Sequence, residues 1–387
     1  MKILANGYKK LLNKENTDSG SEVFMASLLP YLKQRKHTLV NLLLWGTDGP
    51  EIEERDRFSS PHGDYVLYRT YFGVKKIKEA KSRKLPESIL IAVKNVEVII
   101  QEEKPDIVFI NGFSWSNWIL LKAAANLKIP IYSVLHGLWF NEISTEMSKH
   151  GVKLTLSMEA DIAKYSNRLF FVSEYSLEQF EKNLGKVDRK KLALIPLPYN
   201  PIFESQPKPQ NKGKIINIGQ ISRWDPIKNP KAFSETAKKA KELKLPWKFH
   251  AVTSFSKNLE LAPLIEDYKK YIKVIPPGSP AKLKKFYQQM DLMVLPSEFD
   301  VLGAVVMEAA LQNRSTLISP NVGWKYDYKK FGLDHLITPF DKPEQTIQLI
   351  KKSFRKPPSP KFVKHIKATH SPKTIFNNLI NVLESNV

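Results

Sequence analysis

Short apolar runs alternate with longer stretches of helical hydrophobic period along this chain, and the alternation occurs twice, on either side of a proline-rich interruption. That pattern leaves few folds open. A strand, a helix and a second strand close most readily as a right-handed parallel crossover, with helices covering both faces of the sheet. In the first half the apolar runs Thr38 to Trp45, Asp106 to Asn111, Ile131 to Leu135, Arg168 to Val172 and Leu192 to Pro196 read as strands. Helical periods fall at Ser21 to Lys36, Ile89 to Glu102, Trp118 to Leu127 and Ser176 to Leu184. In the second half, strands are expected at Lys214 to Ile218, Lys248 to Thr253, Ile272 to Ile275, Asp291 to Leu295 and Ser315 to Ile318. At 387 residues the chain exceeds what one core usually serves. The expected division is residues 1–200, a linker at 201–213 inside the proline-rich stretch Pro198 to Gly213, a second domain at 214–370, and a C-terminal helix at 371–387 packing back on the first domain. Two doubly wound domains would leave a ligand cleft at the carboxyl ends of their strands.

Two loops carry the densest chemistry. In Leu295 to Glu308 a buried strand ends at Pro296 and a helix opens after Gly303, with Asp300 and Glu308 eight positions apart. Gly303 permits close backbone approach, and the amides of Val301, Leu302, Gly303 and Ala304 fall where a helix start concentrates unpaired donors, a geometry suited to phosphate. The same acids could equally cap an ordinary strand-to-helix connection. Gly219 to Asn229 follows another strand and places Arg223 and Lys228 five positions apart, able to converge on one anion such as a diphosphate. In the first half, Gly20 and Ser21 precede an amphipathic helix and could offer amides to phosphate or sugar, or Ser21 could cap that helix. His136-Gly137 ends a strand and would face the cleft. Ser279-Pro280 reads as a capped helix start.

The formal charge of +21 divides as +6 over residues 1–200 and +15 over the remainder. Such a surface attracts anions by steering, although lysine-rich solvated helix faces account for much of it. Cysteine is absent, which excludes disulfides, thiolate catalysis and cysteine-ligated zinc, and the histidines form no pair at metal-binding helical spacing. No apolar run reaches the roughly 20 residues of a membrane-spanning helix, and a cytoplasmic protein is expected. The basic segment Val74 to Lys84 could touch anionic headgroups without inserting deeply. Nucleic acid binding has only charge in its favour: aromatics are not interleaved with the basic runs, so no specific nucleic acid partner is expected.

Taken in order, these segments resemble the retaining glycosyltransferases of family 4, which have the GT-B fold. Gly20-Ser21-Glu22 looks like the family's Gly-Gly-x-Glu loop, Pro105 to Val108 and Val134 to Gly137 like its Pro-Asp-Val-Val and Thr-x-His-Gly strands, and Phe171-Val172-Ser173 like its Ala-Val-Ser segment. Ile195-Pro196 matches the Ile-Pro-Asn-Gly stretch in part. Gly219 through Lys228 resembles the Gly-Arg-Leu to Lys-Gly loop, in a form found among trehalose-synthesising relatives, and Asp300 to Glu308 resembles the E-x7-E element. The resemblance implies transfer of a sugar, with retention, from a nucleotide-diphosphate donor to a hydroxyl of a glycan or glycolipid in cell-envelope polysaccharide synthesis. Residues 1–200 would bind the acceptor and 214–370 the donor, without metal or cofactor beyond that donor. By the same resemblance Arg223 and Lys228 would hold the diphosphate, Glu308 the ribose and Asp300 the sugar, with His136 facing the reacting centre. Gly20, Ser21, Gly219, Pro277, Gly278, Glu298 and Val301 to Ala304 would complete the donor site, with Asn111 and Gly137 on the acceptor side.

Departures from the pattern accompany the match. Asp300 stands where glutamate is usual, one methylene shorter, so that Glu298 could share its role. Val301 and Leu302 replace a common Gly-Phe, Gln220 replaces a common arginine, and Asn313 takes a usual glycine position after the helix, where left-handed geometry is expected. A sugar phosphorylase or nucleotide-sugar epimerase on the same fold is the alternative enzyme class.

Overall fold

The computed structural model describes residues 1–7, 20–45, 54–60, 63–69, 73–141, 147–204, 207, 209, 213–255 and 260–385, with backbone alone at 45, 54–60 and 63–69. The chain forms two units, Met1–Leu197 with Lys373–Val387, and Pro198–Pro372. In the first, β1 (Lys2–Asn6), β2 (Thr38–Trp45), β3 (Glu54–Ser60), β4 (Gly63–Arg69), β5 (Ile107–Asn111), β6 (Ile131–Leu135), β7 (Arg168–Phe171) and β8 (Leu192–Leu194) make one sheet. Its order is β3-β4-β2-β1-β5-β6-β7-β8, parallel throughout except for the β3–β4 hairpin, which the sequence pattern did not predict. The helices are α1 (Gly20–Gln34), α2 (Val74–Lys78), α3 (Glu87–Glu103), α4 (Trp115–Asn126), α5 (Lys149–Tyr165) and α6 (Glu174–Leu184). Strands β5 and β6 are buried along their whole length, as unbroken apolar runs require when helices cover both faces.

The second unit has β9 (Ile216–Ile221), β10 (Trp247–Val252), β11 (Ile272–Ile275), β12 (Leu292–Leu295) and β13 (Thr316–Ile318) in the parallel order β11-β10-β9-β12-β13. Around it lie α7 (Pro230–Glu242), α8 (Leu264–Tyr271), α9 (Pro280–Gln289), α10 (Ala304–Leu311), α11 (Lys325–Lys330), α12 (Pro343–Ser353) and α13 (Pro360–Thr369). Strand order reverses between β1 and β5 in the first unit and between β9 and β12 in the second. In open parallel sheets, the carboxyl end of such a reversal is where connecting loops diverge and leave room for a ligand.

The boundary falls at Leu197, before the expected linker. Residues 201–204 form a 3-10 turn of the second unit: Phe203 is buried, its ring 5.7 Å from that of Tyr287, and its carbonyl accepts from Gln312 Nε2 at 2.7 Å. Residues 205, 206, 208 and 210–212 of that linker lie outside the described residues. The chain then returns to the first unit as α14 (Pro372–Glu384). Phe376 packs edge-on to Phe24 at 5.2 Å, and Glu384 receives Arg35 and His37 at 3.3 and 2.9 Å.

Candidate active site

At the carboxyl end of β9 the chain turns through Ser222 to Asn229. Asp225 accepts from the Ile227 amide at 3.0 Å and so starts a 3-10 turn, Pro226–Lys228. Asn229 follows in left-handed geometry (φ 48°) and accepts from the Ala232 amide at 3.1 Å, capping α7. These local bonds fix the direction of Lys228. Its Nζ lies 2.8 Å from Asp300 Oδ2, with the two side chains only 16% and 15% exposed. Two further bonds tie the loops together: the Glu298 amide donates to the Ile227 carbonyl at 2.8 Å, and Asn229 Nδ2 donates to Glu298 Oε1. The loops after β9 and β12 therefore form one structure at the strand-order reversal. Arg223 sits on its rim, 61% exposed and 4.0 Å from Asp225, a distance at which an exposed pair contributes little.

Asp300 is held from several sides. Its amide donates to Asn321 O, its carbonyl accepts from Gly323, and its second carboxylate oxygen accepts from the Leu302 amide at 3.3 Å. Val301 and Leu302 are buried. Gly303 has φ +83°, and a Cβ there would lie 2.7 Å from Leu295 Cδ2, so both backbone and space demand glycine. The Gly303 carbonyl accepts from Trp324 Nε1 at 2.9 Å while α10 opens at Ala304, its first amides without intrahelical partners. Glu308, in the second turn of α10, accepts a 2.7 Å hydrogen bond from the Tyr287 hydroxyl. Burial lifts the Glu308 carboxyl to about 7, partly opposed by that bond. Burial and the neighbouring carboxylate push Tyr287 well above its ordinary value.

The first unit brings another set together where its own strand order reverses. Asn111, at the end of β5, donates from Nδ2 to the Ser21 carbonyl at 2.8 Å, and its Oδ1 meets His136 Nε2. Because an amide oxygen only accepts, Nε2 carries the proton and Nδ1 is a bare lone pair. That Nδ1 is buried and has no partner among the described residues. Burial lowers His136 to about 3, so the imidazole is neutral.

Residues 19–201 match the family described as Glycosyltransferase Family 4, and residues 199–364 match Glycosyl transferases group 1, the two joining at the unit boundary. The chain belongs to the family 4 glycosyltransferases. The fold of this glycosyltransferase is GT-B. A sucrose-phosphate synthase from Thermosynechococcus elongatus superposes with TM-score 0.72 at 14% identity, covering 99% of this chain and 98% of that one. The OtsA apo structure gives 0.71 at 13%, covering 100% and 99%. An E. coli structure described as bound with UDP-2-fluoro glucose gives 0.68 at 13%, covering all of both chains. No curated protein matches this chain by sequence.

Several expected site residues of this glycosyltransferase have other roles or neighbours. Gly219 lies inside β9, where a Cβ would meet the Met290 and Met293 side chains within 3 Å, so core packing explains that glycine. Gly20 and Ser21 are the first residues of α1, beside Asn111 and Gly112, so Ser21 is a helix residue of that cluster and not a cap. Asp18 and Ser19 lie outside the described residues. Pro277 and Gly278 occupy the turn before α9, where Ser279 precedes Pro280 but makes no side-chain capping bond. Gly137 follows His136 and is partly exposed. Sequence reasoning passed over Tyr287 and Asn229. Tyr287 stands 21 positions before Glu308 on a different helix, and no spacing rule connects them. Asn229 was legible as a left-handed cap ahead of Pro230 but not as the partner of Glu298.

Proposed function

We propose that this glycosyltransferase moves a sugar from a nucleotide-diphosphate donor to a hydroxyl of a glycan or glycolipid acceptor, with retention of anomeric configuration and without a metal ion. The observation that carries the donor half is the bonded pair of loops, in which Lys228 meets Asp300 beside the opening of α10. An arriving diphosphate competes for Lys228, and Asp300 is thereby released toward hydroxyls of the transferred sugar. Arg223 and the first amides of α10 take the remaining negative charge, which grows as the diphosphate departs. Glu308 holds the ribose hydroxyls. A diphosphate oxygen accepts the acceptor's proton on the face from which the leaving group departs, so no separate base is required. His136, neutral and held by Asn111, offers its Nδ1 lone pair to a sugar hydroxyl. The relative described as bound with UDP-2-fluoro glucose supports a nucleotide-sugar donor.

A thermal-shift panel of uridine, guanosine and adenosine diphosphates with their sugar conjugates tests this reading. One nucleotide set is expected to raise the melting temperature, and the rise should vanish in Glu308→Ala and Arg223→Ala. Indifference to every member of the panel would sink it.

Among the described residues no helix is long and apolar enough to cross a membrane. We place the enzyme in the cytoplasm, making peripheral contact with an anionic bilayer through α2 and the residues after it. Ile77 is buried there while Lys81, Arg83 and Lys84 are exposed, and Leu90 and Ile91 on α3 are 45% and 38% exposed. Vesicle cosedimentation measures that contact.

A further inference from the structure

The strand-order reversal of the first unit carries more than the His136 cluster. Directly after Gly112 come Phe113 and Trp115, and three residues after His136 comes Trp139. The Trp139 ring lies 5.5 Å from Phe113 and 4.9 Å from Trp115, each in edge-to-face geometry. Both backbone segments are fixed from beneath. Asn117 donates from Nδ2 to the carbonyls of Asn111 and Gly112 at 3.1 and 2.7 Å. Buried Glu159 of α5 accepts from the amides of Trp139 and Phe140 at 2.6 and 3.1 Å. Phe113 and Trp139 nevertheless remain partly open to solvent. Large aromatic rings on a rigid mount, incompletely covered, are arranged for contact with something outside the fold.

Polar atoms at the same corner say what that something is. His136 Nδ1, Asn6 Oδ1, Trp115 Nε1 and Asn141 Nδ2 are all buried and lack partners among the described residues. Trp115 as a whole is 9% exposed. Leaving such groups unpaired costs about 1–3 kcal/mol each. Two are acceptors and two are donors. A phosphate, which only accepts in its ionised form, would leave the lone pairs on His136 and Asn6 unmatched. Hydroxyl groups can serve all four, and a pyranose ring combines hydroxyls around its edge with an apolar C–H face that fits an indole.

We propose that Phe113, Trp115 and Trp139 form a stacking wall that selects a neutral, unphosphorylated pyranose as the acceptor unit, with His136, Asn6 and Asn141 engaging its hydroxyls. The inference rests on the transferase reading for the acceptor role, and on this corner alone for carbohydrate binding. The stacked residues position the ring; they take no part in bond breaking.

Saturation-transfer NMR on the full chain tests it, with methyl α-D-glucopyranoside, methyl α-D-mannopyranoside, methyl β-D-galactopyranoside and glucose 6-phosphate as probes. Saturation is expected at ring C–H protons of at least one methyl glycoside, more strongly than on glucose 6-phosphate. It should persist in Trp139→Phe and fall at least fivefold in Trp139→Leu, which keeps apolar bulk but removes the ring. Phe113→Leu, on a separate segment, should lower it as well. Preference for glucose 6-phosphate, no transfer to any methyl glycoside, or undiminished transfer in both leucine variants overturns the proposal. If the methyl glycosides bind while the nucleotide panel is silent, the stacking wall stands and the transferase reading falls. The reverse result removes the wall and leaves the donor site intact.

Discussion

Glu308 shows how one buried contact can give a binding site a pH dependence. Its carboxyl, raised to about 7, binds a proton more tightly in the folded chain than in the unfolded one, where it titrates near 4.5. Its contribution to stability is therefore complete below 4.5 and is lost as pH rises through 7. Donor binding should run the other way, because ribose hydroxyls donate best to the ionised form. Affinity for the intact nucleotide sugar, whose diphosphate does not titrate in this range, is expected to rise by up to about tenfold per pH unit and to level off above 7. Glu308→Gln should flatten the profile. Tyr287→Phe removes the bond that favours the carboxylate, so the midpoint should move upward, which calorimetric titration from pH 5.5 to 8.5 would reveal. A midpoint unmoved in Tyr287→Phe would mean that the hydroxyl only fills space. At this scale the sequence was partly readable. Arg223, Lys228, Asp300 and Glu308 stand in a recognisable order, and the structure joins Lys228 to Asp300 directly. Gly219 has a packing reason that no one-dimensional reading shows, since a glycine required by two methionine side chains looks in the sequence the same as a glycine required by a ligand.

Among the elements, the strongly periodic ones were legible and those shaped by long-range contacts were not. β2, β6 and β11 have the bounds their apolar runs indicate. α5 was overlooked because Gly151 weakens its helical signal, yet a Cβ there would lie 2.6 Å from the carbonyls of Ile77 and Lys78, so the close approach of α2 requires that glycine. The β3–β4 hairpin is antiparallel in an otherwise parallel sheet, and a search for strand–helix alternation does not detect it. Asn313, at φ 60° after α10, does take the left-handed geometry its residue type suggested. α14 makes an element-scale prediction. Ile375, Phe376, Leu379, Ile380 and Leu383 are buried, and each is worth roughly 1.5–3 kcal/mol by burial. Their sum rivals the whole stability of a typical domain, about 5–15 kcal/mol. Deleting residues 373–385 should abolish hydrogen-exchange protection across the first unit, while the second unit keeps its own protection and its nucleotide response. Protection retained in β5 and β6 would refute this.

For the whole molecule, charge rather than packing sets the expectation. With +21 net, the chain is attracted to any polyanion, and only a dependence on both charge and place separates a bilayer contact from general stickiness. Cosedimentation should be strong with vesicles containing about a third anionic lipid, weak with neutral ones, and reduced several-fold when Lys81, Arg83 and Lys84 are all changed to glutamate. Binding indifferent to anionic lipid would remove the membrane from the account. Two doubly wound halves were readable because alternation is a property of the chain as a whole. The exact boundary was not: Ile202 and Phe203 are a short apolar pair in a proline-rich stretch, and only the fold shows that Phe203 is buried against Tyr287. The return of α14 to the first unit has a further result during synthesis. Everything the second unit requires has been synthesised before residues 373–385 are made, whereas the first unit, although begun earlier, must wait for them. The half translated first is completed last, and until then its helix-binding surface on Phe24 and Tyr31 stays uncovered on the nascent chain.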